Sequence, residues 1–357
     1  MYQFAGRFNR KTDLQDTAPH LGDKLLISGN IALGKELHSC ACDEYEIFCF
    51  GTIYNLEDLK ARFNIRTEHH CKAIHDLFIL KGNHWSTLAD GEFTVIMQND
   101  EEFFIWRDRH GTGPQVYYND EVFASHPFML REFKDFSSEP DWESIATFMG
   151  LGYIPSPQTA LKNVRKLPAG QSLHWRNGSI STHYLYSFEK FLEKTNTFKG
   201  SEDEATEIYK ELHIKAIHSR TRQSKSVGLL LSGGYDSGGN IYALRQSYAG
   251  SAQSVSIGFK DNPWTEVPLA RIMSDRFETH FTSYEITGSE LEDLPLIVKQ
   301  LGDPFQEGGL MVNYMAMKMA TGFSADVILG GDGNDQHFGT SGKEFALHWP
   351  LHTRGMS

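Results

Sequence analysis

The stretch VGLLLSGGYDS, residues 227–237, decides the fold of the C-terminal half of the chain. Its first five residues form an uninterrupted apolar run, typical of a strand buried on both faces of a parallel sheet. The polar and glycine-rich residues 232–237 come next, and residues 239–247 continue with a helical pattern. This order of strand, glycine-rich loop and helix predicts an anion-binding loop at the carboxyl end of a strand.

The loop carries the groups that a polyphosphate requires. Gly233 and Gly234 permit backbone angles that open the chain around an anion, and Ser232 and Ser237 add hydroxyl donors. Asp236 would repel a phosphate, so its position indicates that Mg²⁺ lies between the carboxylate and a pyrophosphate. No Gly-Lys-Ser/Thr follows, so this is not a Walker A loop. The alternative is an ordinary glycine turn before a helix, but the full Ser-Gly-Gly-x-Asp-Ser string between a strand and a helix favours the phosphate site.

Two later segments are expected at the same edge of the sheet. Strands and helices alternate from Val227 to Leu329, which predicts right-handed crossovers and a parallel sheet covered on both faces. Residues 256–259 end one strand, and residues 330–335 follow a later one. Ligands bind beyond the carboxyl ends of such strands, so the three segments should share one crevice. Asp335 then becomes a second Mg²⁺ ligand; the alternative for residues 332–335 is a solvated turn.

The first half of the chain has a different texture. Short segments rich in β-branched and aromatic residues alternate with polar turns, as in the predicted hairpin of residues 93–106 around Asn99-Asp100-Glu101-Glu102. Helical stretches at residues 56–63 and 72–80 interleave with them, which predicts an α+β domain with antiparallel sheets. A polar run from Lys194 to Asp203 marks the boundary, so we expect domains at 1–190 and 200–357.

The bulk composition limits the classes of protein. A chain of 357 residues is long for a single core, which agrees with two domains. The formal net charge of -12 argues against general nucleic-acid binding, which needs clustered Lys and Arg. No segment approaches the roughly 18 consecutive apolar residues of a membrane helix. We expect no signal peptide, no membrane anchor and a cytoplasmic location.

The four cysteines, Cys40, Cys42, Cys49 and Cys71, are too few for a disulfide framework in a chain of this length. Cys40-Ala41-Cys42 lacks the two-residue gap of common zinc knuckles. His69-His70-Cys71 suggests a metal, but consecutive side chains diverge, so we interpret it as a surface cluster.

The motifs of both halves resemble those of the asparagine synthetase family. The matches to its synthetase domain agree in order and spacing, and they are residues 232–237, Ile257-Gly258, 264–266, Ala270-Arg271, 303–305 and 331–335. The matches to its glutaminase domain and linker are residues 51–55, 88–93, 107–111, 123–125, 152–157 and 166–170. The resemblance therefore covers nearly the whole chain.

The resemblance implies a fold and an activity. The fold is an N-terminal Ntn-hydrolase-like antiparallel αββα sandwich followed by a parallel-sheet ATP-pyrophosphatase domain of the PP-loop, adenine nucleotide α hydrolase-like class. The activity is that of an ATP-dependent ligase that adenylates a small-molecule or peptide carboxylate, releasing pyrophosphate and then AMP, for attack by an amine.

The resemblance also implies a role for each site residue. Asp332 takes the position of the catalytic acid that orients or deprotonates the amine, and Asp236 and Asp335 carry Mg²⁺. The pyrophosphate is held by Ser232, Gly233, Gly234 and Ser237. The adenosine site is lined by Leu231, Ile257, Gly330 and Gly331.

Three departures from the family change these expectations. Tyr2 stands where the family's glutaminase has its nucleophilic cysteine, and a phenol with a pKa of about 10 cannot replace a thiolate. Phe50-Gly51-Thr52 replaces the Asn-Gly-Glu that grips glutamine, although the acid at Asp90 is kept, so we expect no glutamine hydrolysis. A lysine-bearing helical region follows in the family where this sequence stops at Ser357, and nothing marks Lys343 as the equivalent. The expectation is a shortened chain or one completed by a partner.

Several alternatives stay open at this point. The amine is either ammonia or a group on the same substrate, as in relatives that close β-lactams or cyclise lasso peptides. The non-catalytic alternative is an ATP-binding remnant or half of a split enzyme. A sulfur- or tRNA-modifying relative shares only the loop and lacks a basic RNA-binding face here. The sequence leaves open whether the chain forms a homo-oligomer or is completed by a partner chain.

Overall fold

The structure, a computed structural model, describes residues 4–8, 26–28, 31–33, 38–187, 193, 198–262 and 265–334. The described residues fall into two compact units. Unit 1 lies within Met1–Thr197 and Leu296–Glu307, and unit 2 within Phe198–Pro295 and Gly308–Ser357. The domain bounds 1–190 and 200–357 remain predictions. Among the described residues no helix is both long enough and apolar enough to cross a membrane.

Unit 1 contains two antiparallel sheets of six strands each. The first sheet has the order β10-β8-β9-β1-β3-β2, formed by Arg165–Lys166, Tyr117–Tyr118, Val122–Ala124, Phe4–Arg7, Ile31–Leu33 and Leu26–Ser28. The second has the order β12-β11-β7-β6-β5-β4, formed by Ser179–Tyr184, Gln171–Arg176, Glu102–Arg107, Gly91–Gln98, Tyr45–Ile53 and His38–Cys42. The predicted hairpin pairs Gln98 with Phe103, which confirms its turn at residues 99–102.

Two sheets and their helices form layers because side chains alternate along each strand. Phe4, Phe50 and Phe123 belong to the core cluster between the sheets. Their chain neighbours, such as Ala5 and Ala124, belong to a second cluster on the outer face of the first sheet. The helices of unit 1 are α1 (Leu56–Phe63), α2 (His70–Lys81), α3 (Trp85–Leu88), α4 (Pro127–Leu130) and α5 (Trp142–Leu151), with a 3-10 turn at Gly82–His84.

Helix α2 covers the outer face of the second sheet. Cys71, Ile74 and Leu77 are buried on the side of α2 that faces the sheet, and they share a core cluster with Trp106 of β7. The spacing of these residues is that of one helical face. Helix α4 and Phe133 cover the first sheet in the same way, so the layers follow the predicted αββα order.

Unit 2 is built on a parallel sheet with the strand order β15-β14-β13-β16. The strands are His280–Ile286, Ser251–Phe259, Ser226–Leu230 and Val327–Leu329. The helices are α6 (Glu202–Thr221), α7 (Tyr235–Ser247), α8 (Val267–Arg276) and α10 (Leu310–Ala320), with a 3-10 turn at Ser289–Asp293. Helix α9 (Leu294–Leu301) starts in unit 2, but its residues from Leu296 onward belong to unit 1. The alternation predicted from the sequence gives this parallel sheet, and together with unit 1 it confirms the predicted fold class.

Helix α6 was not predicted from the sequence. Its residues are mostly exposed, with Ile217 and Thr221 buried, so the apolar period that signals a helix is weak. A capping box starts it: Ser201 Oγ accepts from the Glu204 N–H at 3.2 Å, and the Glu204 carboxylate accepts from the Ser201 N–H at 2.8 Å. The helix therefore begins inside the polar run that had been assigned to the boundary.

Candidate functional site

The segment of residues 232–237, here called the Gly-Gly loop, begins just after β13 and runs into the first turn of α7. Gly233 has φ +90°, and a Cβ there would lie 2.9 Å from Leu269 Cβ and 3.0 Å from the Glu266 carbonyl oxygen. Only glycine fits that position without strain. Helix α7 begins after Gly234, and no side chain caps its first turn. The first N–H groups of α7 therefore point out of the helix end as anion donors.

The two serines of the Gly-Gly loop bond to the loop itself. Ser237 is buried; its Oγ accepts from the Ser232 N–H at 3.2 Å and donates to the Gly234 carbonyl at 3.2 Å. Ser232 Oγ lies 3.1 Å from Ser237 Oγ and accepts from the Gly234 N–H at 3.2 Å. These contacts fix the loop's shape, a role beyond the phosphate contacts expected of the hydroxyls.

The segment after β16 lies against the Gly-Gly loop, as the strand order requires. A Cβ on Gly331 would lie 3.3 Å from Asp236 Cβ and 3.4 Å from the Ser237 nitrogen, so the two backbones approach closely. Asn334 Nδ2 donates to Asp236 Oδ1 at 2.8 Å. Asp236 is half-buried, and its carboxylate faces residues of both segments.

These residues surround one cavity of about 270 Å³, close to the lower end of the roughly 300–1,000 Å³ usual for small-molecule sites. Most of the residues predicted from the sequence line it: Leu231, Ser232, Asp236, Ser237, Ile257, Gly331 and Asp332. Helix α10 closes one side with Val312, Asn313 and Ala316, which the sequence analysis did not single out. An apolar wall opposite a polar, glycine-rich rim suits a nucleoside joined to phosphates.

The remaining predicted site residues have other positions. Gly233 packs the Gly-Gly loop against α8, and the Gly330 carbonyl accepts a hydrogen bond from Asn240 Nδ2 at 2.6 Å. Gly234 is the N-cap residue of α7, and Asp332, which does line the cavity, is exposed at its rim. Asp335, predicted as a Mg²⁺ ligand, lies outside the described residues.

Helix α6 contacts α7 and the segment after β16, which sequence reasoning missed. His213 Nε2 donates to Asn240 Oδ1 at 2.8 Å, and Tyr209 Oη donates to Asn334 Oδ1 at 3.3 Å. The sequence carried no signal for these contacts, because they join residues 27 and 125 positions apart.

Unit 1 has a second cavity, of about 470 Å³. Its lining residues are Gly51, Thr52, Glu92, Thr112, Gly113, Pro114, Gln115, Tyr117, Ser125, His126, Gln300 and Leu301. Thr52, which stands where the family has the glutamate that grips glutamine, therefore lies on the wall of this cavity. Burial lowers the pKa of His126, and burial together with the Asp303 charge raises the pKa of Tyr117, so both groups are held neutral.

No described cysteine lines this cavity. Cys49 and Cys71 are buried in the cluster under α2, on the other face of the second sheet. Burial raises the pKa of the Cys71 thiol to about 12, which leaves it unreactive as a nucleophile. Tyr2, expected at the nucleophile position, lies outside the described residues.

The cysteine region corrects one expectation. Cys71 is fully buried, so the surface-cluster interpretation of His69-His70-Cys71 is wrong for that residue. The reason is that Cys71 lies in the first turn of α2, on the side facing the sheet. Cys40 and Cys42 form a disulfide.

The linker-like motifs meet at a mostly buried ion pair in unit 1. Lys166 Nζ lies 2.7 Å from Asp303 Oδ2, and the two side chains are 12% and 10% exposed. Lys166 also donates to the Ile154 carbonyl at 2.8 Å, and Asp303 Oδ1 accepts from the Ala160 N–H at 2.9 Å. Tyr153 forms an isolated bridge with Phe305. Three stretches far apart in the sequence therefore fold as one structure.

Two family models match the chain. The model described as asparagine synthase matches residues 209–354, and the model described as glutamine amidotransferase domain matches residues 24–186. The first contains the Gly-Gly loop and the second contains most of the lining of the unit 1 cavity.

Named relatives give the same picture. The chain is 28% identical over 302 residues to "Putative asparagine synthetase (glutamine-hydrolyzing) 2" of Methanocaldococcus jannaschii, covering 81% of this chain and 57% of that protein. It is 25% identical over 320 residues to a protein of Mycobacterium bovis named "Putative asparagine synthetase (glutamine-hydrolyzing)", covering 84% and 48%. The chain thus spans about half the length of the curated relatives it matches. Among solved structures, a Bacillus subtilis glutamine phosphoribosylpyrophosphate amidotransferase is similar with a TM-score of 0.31 and 9% identity, covering 82% of this chain and 64% of that one.

Proposed function

This chain belongs to the asparagine synthetase family, and from that premise we propose that it activates a substrate carboxylate as an acyl-adenylate without hydrolysing glutamine. Membership of the family supports an ATP-dependent amide ligase. The observation that carries the finer proposal is the close approach of Gly331 to Asp236 and Ser237, beside the cavity that Leu231 and Ile257 line. That approach supports a single site formed by the predicted phosphate-binding residues, Asp236 and the predicted adenosine-binding residues.

The proposed chemistry has two steps. A carboxylate oxygen attacks the α-phosphorus of ATP, the bond to the bridging oxygen of the β-phosphate breaks, and pyrophosphate leaves. The amine then attacks the acyl carbon of the adenylate, and AMP leaves with the carboxylate oxygen.

Each residue of the site has a part in these steps. The N–H groups at the start of α7 hold the leaving pyrophosphate, and Gly233 keeps the loop open for it. Asp236 offers the hard oxygen ligands that Mg²⁺ prefers, with Asp335 as the second proposed ligand. Mg²⁺, when bound, offsets the charge that develops on the pyrophosphate. Asp332, at the rim, orients or deprotonates the amine.

The proposal that glutamine is not the nitrogen source has its support in unit 1. Thr52 is a neutral residue on the cavity wall, and the described lining residues supply hydroxyls, an imidazole and the Glu92 carboxylate but no thiol. The amine is then ammonia or a group of the substrate itself. We further propose that the substrate is a small-molecule or peptide carboxylate and that the protein acts in the cytoplasm. We propose no nucleic-acid or membrane partner. The protein partner to be tested for is a second copy of this chain or a chain that completes it.

Calorimetric titration of the purified chain with Mg·ATP tests the proposal, run beside Asp236→Ala and Tyr235→Ala. Tyr235 is next in the chain to Asp236 but 99% exposed, so its variant is the matched control. We expect binding by the wild type and the control and loss of binding in Asp236→Ala. Equal binding by all three would contradict the proposed site. Pyrophosphate release with aspartate and ammonia, or with a candidate cyclisation substrate, then tests turnover and separates the ligase from a non-catalytic ATP-binding protein.

A further inference from the structure

All four cysteines of the chain are near one another in unit 1, away from its cavity. Cys40 and Cys42 are on β4, the edge strand of the second sheet, and Cys49 is on the neighbouring strand β5. Cys71 is in the first turn of α2, directly after His69 and His70. The fold thus gathers thiols and imidazoles from segments about 30 residues apart, and neither the proposed ligase reaction nor the Gly-Gly loop uses them.

Three of these side chains converge on one point. Cys40 Sγ, Cys71 Sγ and a ring nitrogen of His69 lie within 4.8 Å of one another. Tetrahedral zinc, with bonds of about 2.0–2.3 Å, requires ligand atoms about 3.3–3.8 Å apart. The difference of about 1 Å is within the reach of small side-chain rotations.

The neighbours of these atoms indicate which nearby side chains are candidate metal ligands. His70 has a different neighbour: its ring centroid lies 4.7 Å from that of His38, with the two rings tilted by 44°. Cys42 Sγ is bonded to Cys40 Sγ, so reduction leaves a second thiol beside the first. Cys40, Cys42, His69 and Cys71, here called the Cys/His cluster, thus offer three sulfurs and one nitrogen, a common ligand set of structural zinc sites.

Burial supports a site that a metal can enter. Cys71 is fully buried, Cys40 is partly buried and His69 is exposed. The cluster therefore has an inner wall of protein and an opening on the His69 side, as an entry path requires.

We propose that the Cys/His cluster binds a Zn²⁺ ion when the protein is reduced and that this ion fastens edge strand β4 to the start of α2. A thiol or phosphine reductant supplies the two electrons that cleave the Cys40–Cys42 disulfide, and two protons complete the thiols. Zn²⁺ then displaces the thiol protons to solvent as the metal–sulfur bonds form. The disulfide and the metal exclude each other, because a disulfide sulfur is not a thiolate ligand.

Titration of the full chain with Co²⁺ and Zn²⁺ in the presence of a phosphine reductant tests the proposal. We expect one Co²⁺ per chain, a thiolate-to-cobalt charge-transfer band, and its loss when Zn²⁺ is added. His69→Ala and Cys40→Ser are expected to weaken binding at least tenfold, since changes of outer groups alone cost about 10–100-fold. The exposed His69 makes the first variant the cleaner one, because its loss leaves the core intact.

Matched controls are available next to each ligand. His70→Ala removes the adjacent imidazole and Cys49→Ala removes a buried thiol outside the cluster, and both are expected to bind as the wild type does. Protein kept in the disulfide form is expected not to show the charge-transfer band. The absence of that band in the reduced wild type, or equal affinity in His69→Ala, Cys40→Ser and the controls, would overturn the proposal.

Discussion

The turn after β7 in unit 1 and the Gly-Gly loop in unit 2 both place an aspartate beside a cavity, but they use it differently. Asp108 is 1% exposed, and its carboxylate accepts hydrogen bonds from the N–H groups of His110, Thr112 and Gly113 at 3.0, 3.2 and 2.7 Å. Asp236 is half-buried at the mouth of the Gly-Gly loop. A buried carboxylate with its oxygens occupied by the backbone holds a turn in shape, whereas one at a rim can take a ligand.

The comparison extends to the surroundings of each cavity. Near the cavity of unit 1 lies a mostly buried ion pair between Lys166 and Asp303, whereas near the cavity of unit 2 hydrogen bonds join α6 to α7 and α7 to the segment after β16. The comparison teaches that the packing of a domain and the chemistry of the residues around its cavity can vary independently. Unit 1 has two packed six-stranded sheets, but the wall of its cavity carries Thr52. Unit 2 has a smaller, four-stranded sheet, and that sheet carries the Gly-Gly loop.

The largest expected effect is on unit 1. Lys166→Met should lower the free energy of unfolding by about 3 kcal/mol, the lower end of the range for a fully buried pair, because the mostly buried Asp303 carboxylate keeps only the Ala160 N–H as a partner among the described residues. Lys162→Met is the control, since the Lys162–Glu139 pair is as short, 2.8 Å, but more than half exposed. That change should leave the free energy of unfolding almost unchanged, because an exposed ion pair contributes little to stability. Urea unfolding followed by circular dichroism measures both, and similar losses would show that burial does not distinguish the two pairs.

The second prediction tests the backbone conformation of the Gly-Gly loop. Gly233→Ala should cost about 1–3 kcal/mol of strain, because φ is +90° and the new methyl meets α8. It should also weaken Mg·ATP binding by distorting the loop. Gly234→Ala is the control: its φ is -77°, and the new methyl meets only Ser232 Oγ, at 3.3 Å. Its effect on stability should stay within about 0.5 kcal/mol. If the two alanines behave alike in thermal unfolding and calorimetry, the loop is not held as described.

A smaller effect is expected from the support given by α7. Asn240→Ala removes the donor to the Gly330 carbonyl and the acceptor for His213. A loss of about 0.5–1.5 kcal/mol in Mg·ATP binding, or about two- to tenfold in Kd, should follow if the hydrogen bond positions the segment after β16. Gln246→Ala, at an exposed position of the same helix, should leave Kd unchanged. An unaltered Kd in Asn240→Ala would show that the two loops are positioned without this contact.

The last prediction is that glutamate release from glutamine does not occur. Purified protein incubated with glutamine should release no glutamate, and Thr52→Glu should not restore release, because a restored grip supplies no nucleophile. Coupled detection of glutamate with a glutamine-hydrolysing relative as positive control makes the measurement. Release by the wild type would remove the proposed difference between the cavities of the two units.

The sequence alone determined the elements whose signals are local. The apolar run before Ser232, the glycines of the loop and the alternation in both halves predicted the parallel sheet, the antiparallel hairpins and the edge at which residues 231, 236, 257 and 331 meet. These signals work because strand period, loop conformation and the direction of parallel strands follow from residues near one another in the chain.

Only the tertiary structure decided the contacts made across long separations. It brought Asp303 to Lys166 within unit 1, packed α6 against α7 in unit 2, and gathered Cys40, His69 and Cys71. The path of the chain sets such contacts, and each involves polar or small side chains with no periodic pattern of their own. Local propensity carries no information about which distant segment will neutralise a buried charge or complete a ligand set, because that depends on how the whole core packs.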